Sequence, residues 1–402
     1  MIMLIISVCV FSGCTAARRK TDVWDGSIAE NFAGGRGTAA EPYKISTCAQ
    51  LALLAERVNS GADYSDKYFS LECGLDLNNI EWTPIGNENS PFGGSFDGNG
   101  HTVSNLRITD VGSRQRGNMS YGSAGLFGVC RGASICELSI MGAAILTDRA
   151  CEFDTLRIGI LAGCFQADRD CGISGINISD ASILTIGRDH SAAGGGTCMY
   201  LGGIAGQIYV EGAVCRMDKL QAEVVVDSSE GLCRLNFIGG ITGCLTNIGS
   251  YSCSDFADYL TVYLQDEVGE NKAGAFGLLV LGTGSARSEL RNGYSEVRVN
   301  RTQSDDSGFC LYDVGAIAGE VRRDSRGGDD PVNLYIFENL FGCVKPTDSG
   351  ADFGGNILRL YTLSDFLIYS EKNCHASAAL PDNSGFDPEI WAVSYGGRPY
   401  LK

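Results

Sequence analysis

Short runs of apolar residues, many alternating with polar ones, recur along this chain and predict β-strands through most of its length. Examples are Ile135-Cys136-Glu137-Leu138-Ser139-Ile140, Ile176-Asn177-Ile178, Val224-Val225-Val226, Leu260-Thr261-Val262-Tyr263-Leu264 and Val297-Arg298-Val299. A period of two is the signature of a strand buried on one face. Clusters of Gly, Asn, Asp and Ser between the runs supply turns, and helical periodicity is absent from the region. A helix is expected nearer the N-terminus. There Ser46 is placed to cap a segment running through Asn59, with Leu51, Leu54, Ala55 and Val58 on one face. Strand-like residues 68–73 follow, then the turn signal Asp97-Gly98-Asn99-Gly100. Toward the C-terminus, residues 363–369 read as a short helix. The tail Ile390-Trp391-Ala392-Val393-Ser394-Tyr395 offers aromatic bulk to close the last turn of the fold.

A second pattern overlies the first. An apolar motif set between glycines appears as Ala124-Gly125-Leu126-Phe127-Gly128, Ile158-Gly159-Ile160-Leu161-Ala162-Gly163 and Gly202-Gly203-Ile204-Ala205-Gly206. It returns as Gly239-Gly240-Ile241-Thr242-Gly243, Ala273-Gly274-Ala275-Phe276-Gly277 and Gly315-Ala316-Ile317-Ala318-Gly319. The final glycines are 35, 43, 37, 34 and 42 residues apart. A constant motif at variable spacing describes fixed strands joined by loops of different length, which is how a solenoid behaves. One repeat cannot bury its inward side chains, whereas stacked repeats share a continuous core. The glycines are expected to turn corners, often at positive φ, and to let turns of the coil stack about 4.8 Å apart without Cβ clashes. Caps are expected at both ends, because an open solenoid exposes unpaired strand edges.

Composition narrows the partners. The 402 residues are 44% hydrophobic, enough for a large core, and 54 glycines against 8 prolines do not describe a disordered Pro/Gly mixture. With 48 acidic and 31 basic residues the net charge is −17, so a nucleic-acid partner, which needs a basic stripe to displace counterions, is excluded. Of 17 cysteines, 15 lie beyond residue 14 without the spacing of a disulfide framework. They read as small buried hydrophobes. Cys130, Cys164 and Cys244 follow motif glycines, while Cys136, Cys171, Cys215 and Cys253 fall near the second strand of a repeat. No CxxC pair exists and His number three, so neither a metal site nor a cofactor is expected.

The first residues carry their own signal. Residues 1–11 are an apolar run too short to span a bilayer but suited to an export leader. Ser12-Gly13-Cys14 after it resembles the bacterial lipobox, which implies that Cys14 carries the lipid; no Lys or Arg precedes the run, and Phe11 stands where Leu is commonest. Thr15-Ala16-Ala17-Arg18-Arg19-Lys20 reads as the start of a polar tether.

The Gly202-Gly203-Ile204-Ala205-Gly206 motif and its siblings resemble the GLUG repeat of bacterial surface proteins. The opening Gly37-Thr38-Ala39-Ala40-Glu41-Pro42-Tyr43-Lys44-Ile45 is similar to theirs. So are Glu81-Trp82-Thr83-Pro84-Ile85-Gly86 leading into residues 94–103, and the ending with Gly385-Phe386-Asp387, Ile390-Trp391 and residues 397–401. The resemblance covers residues 35–402, although the repeats at 159–163 and 273–277 lack the double glycine. It implies an all-β, right-handed parallel β-helix on an exported, often lipid-anchored protein, and brings no catalytic residues with it. The resulting divisions are a signal peptide at 1–13, a tether at 14–34, an N-terminal helical cap with the first rungs at 35–110, GLUG-like repeats at 111–345 and a C-terminal closure at 346–402.

The expected function is non-catalytic binding or adhesion at the cell surface. The protein would be held at the outer membrane by the lipid and recognise glycan, or host or bacterial surface protein, through loops on a rod. A polysaccharide lyase or glycoside hydrolase is the main alternative, and an envelope structural component the third. An enzyme would need carboxylates converging on one groove. The candidates are Glu152 with Asp154, Asp168 with Asp170, Asp305 with Asp306, and Asp329 with Asp330, all of which also read as solvated loops. Asp97-Gly98-Asn99-Gly100 lacks the further ligands of a calcium loop. His101, His190 and His375 have no nucleophile in a recognisable context. Tyr200, Tyr209, Tyr251 and Tyr312 are candidates for stacking on sugars, or are simply core. A binder's groove is expected to hold aromatics and amides, an enzyme's three or more carboxylates from neighbouring rungs.

Overall fold

A computed structural model describes residues 21–116, 119–148, 153–188, 198–232, 235–247, 249–265, 270–281, 287–302, 311–323, 334–346, 361–363, 370–372, 375–376, 387, 389–393 and 399–402. The chain is nearly all β, with one α-helix, Cys48–Asn59, among the described residues. It winds alternately through two large sheets. The first runs through Ser95–Ser104, Ser134–Met141, Cys171–Arg188, Val214–Leu232, Ser250–Gln265, Arg287–Thr302 and Leu334–Pro346. The second runs through Met119–Ala124, Thr155–Gly159, Cys198–Gly202, Leu235–Asn247, Glu270–Leu281 and Ala318–Arg323. Each of these strands pairs in parallel with its equivalent one repeat later. That is the pairing of a solenoid-like coil.

Register makes the core continuous. Phe96, Ile135, Ile173, Met217, Cys253, Leu290 and Phe337 are successive register partners, and all are buried. Because side chains alternate across a strand, one inward position repeated at every turn builds a column that no single repeat could bury. Cys253 fills a hydrophobe's place in that column. Cys171 and Cys215 are register partners as well, and both are buried. No disulfide joins the described cysteines.

The motif glycines serve close approach rather than positive φ. A Cβ on Gly163, Gly206 or Gly277 would stand within 2.8 Å of the carbonyl oxygen of the motif glycine one turn earlier and of a backbone nitrogen on the neighbouring strand. None of these glycines lies in the left-handed region. That conformation falls to a different corner, where Glu137, Gly175, Lys219, Asp255, Asn292 and Asn339 all have φ between 51° and 61°. Asn and Asp tolerate it best among residues with a Cβ. Here Asn292 Nδ2 donates to Asp255 Oδ1 at 3.2 Å, and Asn339 Nδ2 to Asn292 Oδ1 at 2.9 Å.

The ends depart from the sequence expectations in detail. Thr47, not Ser46, is the helix N-cap; its hydroxyl accepts from Gln50 N at 3.3 Å. Ser46 N instead donates to Gln50 Oε1 at 2.8 Å, so both residues serve the first turn. The expected helical face, Leu51, Leu54, Ala55 and Val58, is buried. The stretch read as tether is partly folded: Thr21–Val23 pairs with Gly74–Asp76, and buried Trp24 packs edge-on against Trp82 at 5.5 Å. Of the segment 363–369 read as a short helix, Leu363 ends the strand Tyr361–Leu363, which joins the second sheet, and residues 364–369 lie outside the described residues. The tail Trp391–Val393 pairs antiparallel with Pro399–Leu401. This hairpin lies along the side of the first sheet, where Trp391 packs with Ala257, Tyr294 and Phe341 and donates to Asp255 Oδ1 at 3.0 Å. An indole needs an apolar seat with an acceptor, and that column of register partners provides one.

Candidate functional site

The outward positions of the second sheet build a groove of about 600 Å³. In Thr155–Gly159, Leu156 and Ile158 enter the core, so Thr155 and Arg157 face out. In Ala205–Val210, Ile208 and Val210 point in, and Gln207 and Tyr209 point out. Pairing then sets Ser123, Arg157 and Tyr200 in one outward row, and Arg131, Gln166 and Tyr209 in another. Tyr121 and the strand-end acids Asp168 and Glu211 complete the walls, and Glu88 reaches in from the N-terminal loops.

Arg157 organises the floor. Its guanidinium pairs with Glu88, both side chains being 4% exposed. It also donates from Nη2 to Ser123 Oγ at 2.8 Å and lies 4.9 Å from the centre of the Tyr121 ring. Burial works against its charge, but Cys164 and Glu88 beside it outweigh burial and hold the guanidinium pKa above its usual value. Arg131 Nε donates to Gln166 Oε1 at 3.0 Å. Tyr200 stacks on Phe237 at 5.5 Å, and burial pushes its hydroxyl pKa upward. These contacts fix planar aromatic, amide and guanidinium groups before any ligand arrives.

A second hollow of about 370 Å³ adjoins the first and shares Arg131 and Asp168 with it. Its wall is set by Arg169, which donates to the carbonyls of Gly132 at 2.9 Å, Gly93 at 2.6 Å and Ser65 at 3.2 Å. Asp63 there accepts from the nitrogen and hydroxyl of Ser65, which lower its pKa.

Of the acids singled out in the sequence, Asp168 reaches the groove. Asp170 accepts from Val214 N at 3.0 Å instead, because residues 168–170 form a bend and the two-residue rule of strands does not hold there. Asp154 accepts from Ser120 N at 2.7 Å and Oγ at 2.9 Å, which lower its pKa, and it closes a strand end. Asp97 accepts from Asn99 N at 2.7 Å, but residues 97–100 lie inside the strand Ser95–Ser104 at a register shift, so the segment read as a turn is a bulge. Tyr200 and Tyr209 line the groove, whereas Tyr251 is buried in the core. His101 lies in the first sheet opposite Leu138. Cys14, Glu152, His190, Asp305, Asp306, Asp329 and Asp330 lie outside the described residues, as do the side chains of Tyr312 and His375.

Tyr121, Arg157, Gln166, Gln207 and Glu88 are groove residues that the sequence reading did not single out. For the middle rows a signal existed. Ser123, Arg157, Tyr200, Phe237 and Lys272 each stand two residues before the first glycine of a motif, and at each the next residue enters the core, so this one faces out. Glu88 has no such marker.

No family model matches the chain. A protein of Evansella cellulosilytica, provisionally named a Gly-rich membrane protein, is 30% identical over 145 residues, which is 36% of this chain and 16% of that protein. Halomucin of Haloquadratum walsbyi is 32% identical over 118 residues, 27% of this chain and 1% of halomucin. The chain thus spans a small fraction of the curated relatives it matches. A crystal structure of a Bacteroides ovatus protein, provisionally named an immunoglobulin A1 protease, superposes with a TM-score of 0.39 at 17% identity. The superposition covers 92% of this chain and 95% of that one.

Proposed function

We propose that the protein is a glycan-binding component of the bacterial cell envelope, built as a right-handed parallel β-helix that presents the groove on its side. The single observation that carries this reading is the groove lining. Three tyrosines and two glutamines stand beside a guanidinium already neutralised by Glu88. Sugars offer apolar ring faces to aromatics and hydroxyls to amides, carboxylates and guanidinium groups, and sites for small ligands combine such surfaces with a few placed polar groups. Right-handedness rests on the strong preference of parallel crossover connections for that hand. The helix Cys48–Asn59, with its buried face, acts as the N-terminal cap. The GLUG-like motifs, the leader ending at Cys14 and the relatives named as a membrane protein and a halomucin all favour an envelope location. Lipid on Cys14 would hold the chain there, and fatty-acid labelling that Cys14→Ser fails to abolish would sink that part.

A glycan array probed with the full chain tests the binding reading; bound neutral glycans are expected, and a blank array contradicts it. A second reading, a carbohydrate-active enzyme, is favoured by one observation: Glu88, Asp168 and Glu211 line the same groove. Because Glu88 is committed to Arg157, Asp168 and Glu211 would have to supply the acid and base. Release of reducing ends from any bound glycan, abolished in Asp168→Asn, would establish the enzyme and displace simple binding.

A further inference from the structure

We infer that the two hollows are one cleft, and that it holds an internal stretch of an uncharged linear oligosaccharide rather than a single terminal sugar. This rests on the glycan reading above. Arg131 and Asp168 line both the hollow of about 600 Å³ and that of about 370 Å³, so the two adjoin at these side chains. Either volume alone falls within the roughly 300–1,000 Å³ of sites for small ligands; joined, they exceed what one sugar ring fills. The aromatic groups are spread to match. Tyr121 and Tyr200 stand on strands two pairings apart, roughly 10 Å along the stacking axis at the usual strand spacing. A ligand that touches both must extend across the rungs.

The charges select against a polyanion. Arg157 is neutralised by Glu88, and Arg169 is committed to three carbonyls. Arg131 shares the groove with Asp168 and Glu211 on a chain of net charge −17. A chain of uronic or sialic acids would meet repulsion both locally and from the whole surface.

The test is calorimetric titration of the full chain with neutral oligosaccharides of glucose, mannose, galactose and N-acetylglucosamine, one to six units long, with oligogalacturonate alongside. Affinity is expected to rise roughly tenfold or more between one unit and four, and to be insensitive to added salt. Ala62→Trp, which fills the second hollow at an exposed position outside the lining of the first, is expected to abolish that rise while short sugars still bind. Circular dichroism and thermal melting confirm that the variant is folded. Equal affinity for one unit and six would overturn the extended cleft and leave glycan binding intact. Salt-sensitive preference for oligogalacturonate would overturn the uncharged ligand. No binding to any sugar would overturn the underlying reading, and this one with it.

Discussion

Arg157 and Glu88, 69 residues apart in the chain, meet at the floor of the groove with both side chains 4% exposed. Their pairing ties the N-terminal loops to the outer face of the second sheet. A buried ion pair adds little net stability, but removing one partner strands the other charge away from water. Glu88→Ala is therefore expected to destabilise the fold by about 3–5 kcal/mol, read as a lower urea midpoint at unchanged slope. The double variant Glu88→Leu with Arg157→Met is expected to recover most of that loss. A Glu88→Ala protein as stable as the parent would show that the pair is not closed in solution.

Gly206 is held by proximity. A Cβ there would strike Ile158 N and the Gly163 carbonyl, both backbone atoms that cannot swing aside. Gly206→Ala is expected to cost about 1–3 kcal/mol or more, as overpacking does. Gly112→Ala, where a Cβ meets nothing within 4 Å, is expected to leave the melting temperature unchanged. Equal effects in the two variants would refute the stacking role of the motif glycine.

Asp258 is fully buried in the first sheet, accepts from Ser295 Oγ at 2.7 Å, and packs where a Cβ on Gly240 would sit. Burial raises its pKa well above 3.8, the Ser295 hydrogen bond opposes the rise, and Glu296 reinforces it. The folded state therefore binds a proton more tightly than the unfolded chain. Its contribution to stability is complete below pH 3.8 and is lost as pH rises through the raised folded value. Asp258→Asn is expected to flatten that decline, seen as a smaller fall in melting temperature from pH 4 upward. An unchanged profile would mean that the carboxyl is not the titrating group.

The coil itself was legible because its signals are local and repeated. Alternation marked the strands, and the motif Gly202-Gly203-Ile204-Ala205-Gly206 with its siblings marked the turns. The glycine role was half legible. Close approach followed from stacking, but the left-handed corner went to Lys219, Asp255, Asn292 and Asn339, which only register brings into line. In the sequence Tyr200 and Tyr209 stand out as aromatics that could stack on sugars, but nothing there separates them from a core residue such as Tyr251. Arg157 was readable in principle from its place two residues before a motif glycine. Glu88 was not, since its role depends on a loop folding back across 69 residues. The seat of Trp391 on Ala257, Tyr294 and Phe341 was hidden for the same reason.

The most direct measurement is a glycan array read with the full chain and with a Tyr121→Ala, Tyr209→Ala double variant, each shown to be folded by circular dichroism. The parent is expected to bind a set of neutral glycans, and the variant to lose most of that signal. Undiminished binding by the variant to the same glycans would place recognition elsewhere on the molecule and contradict the assignment of this groove.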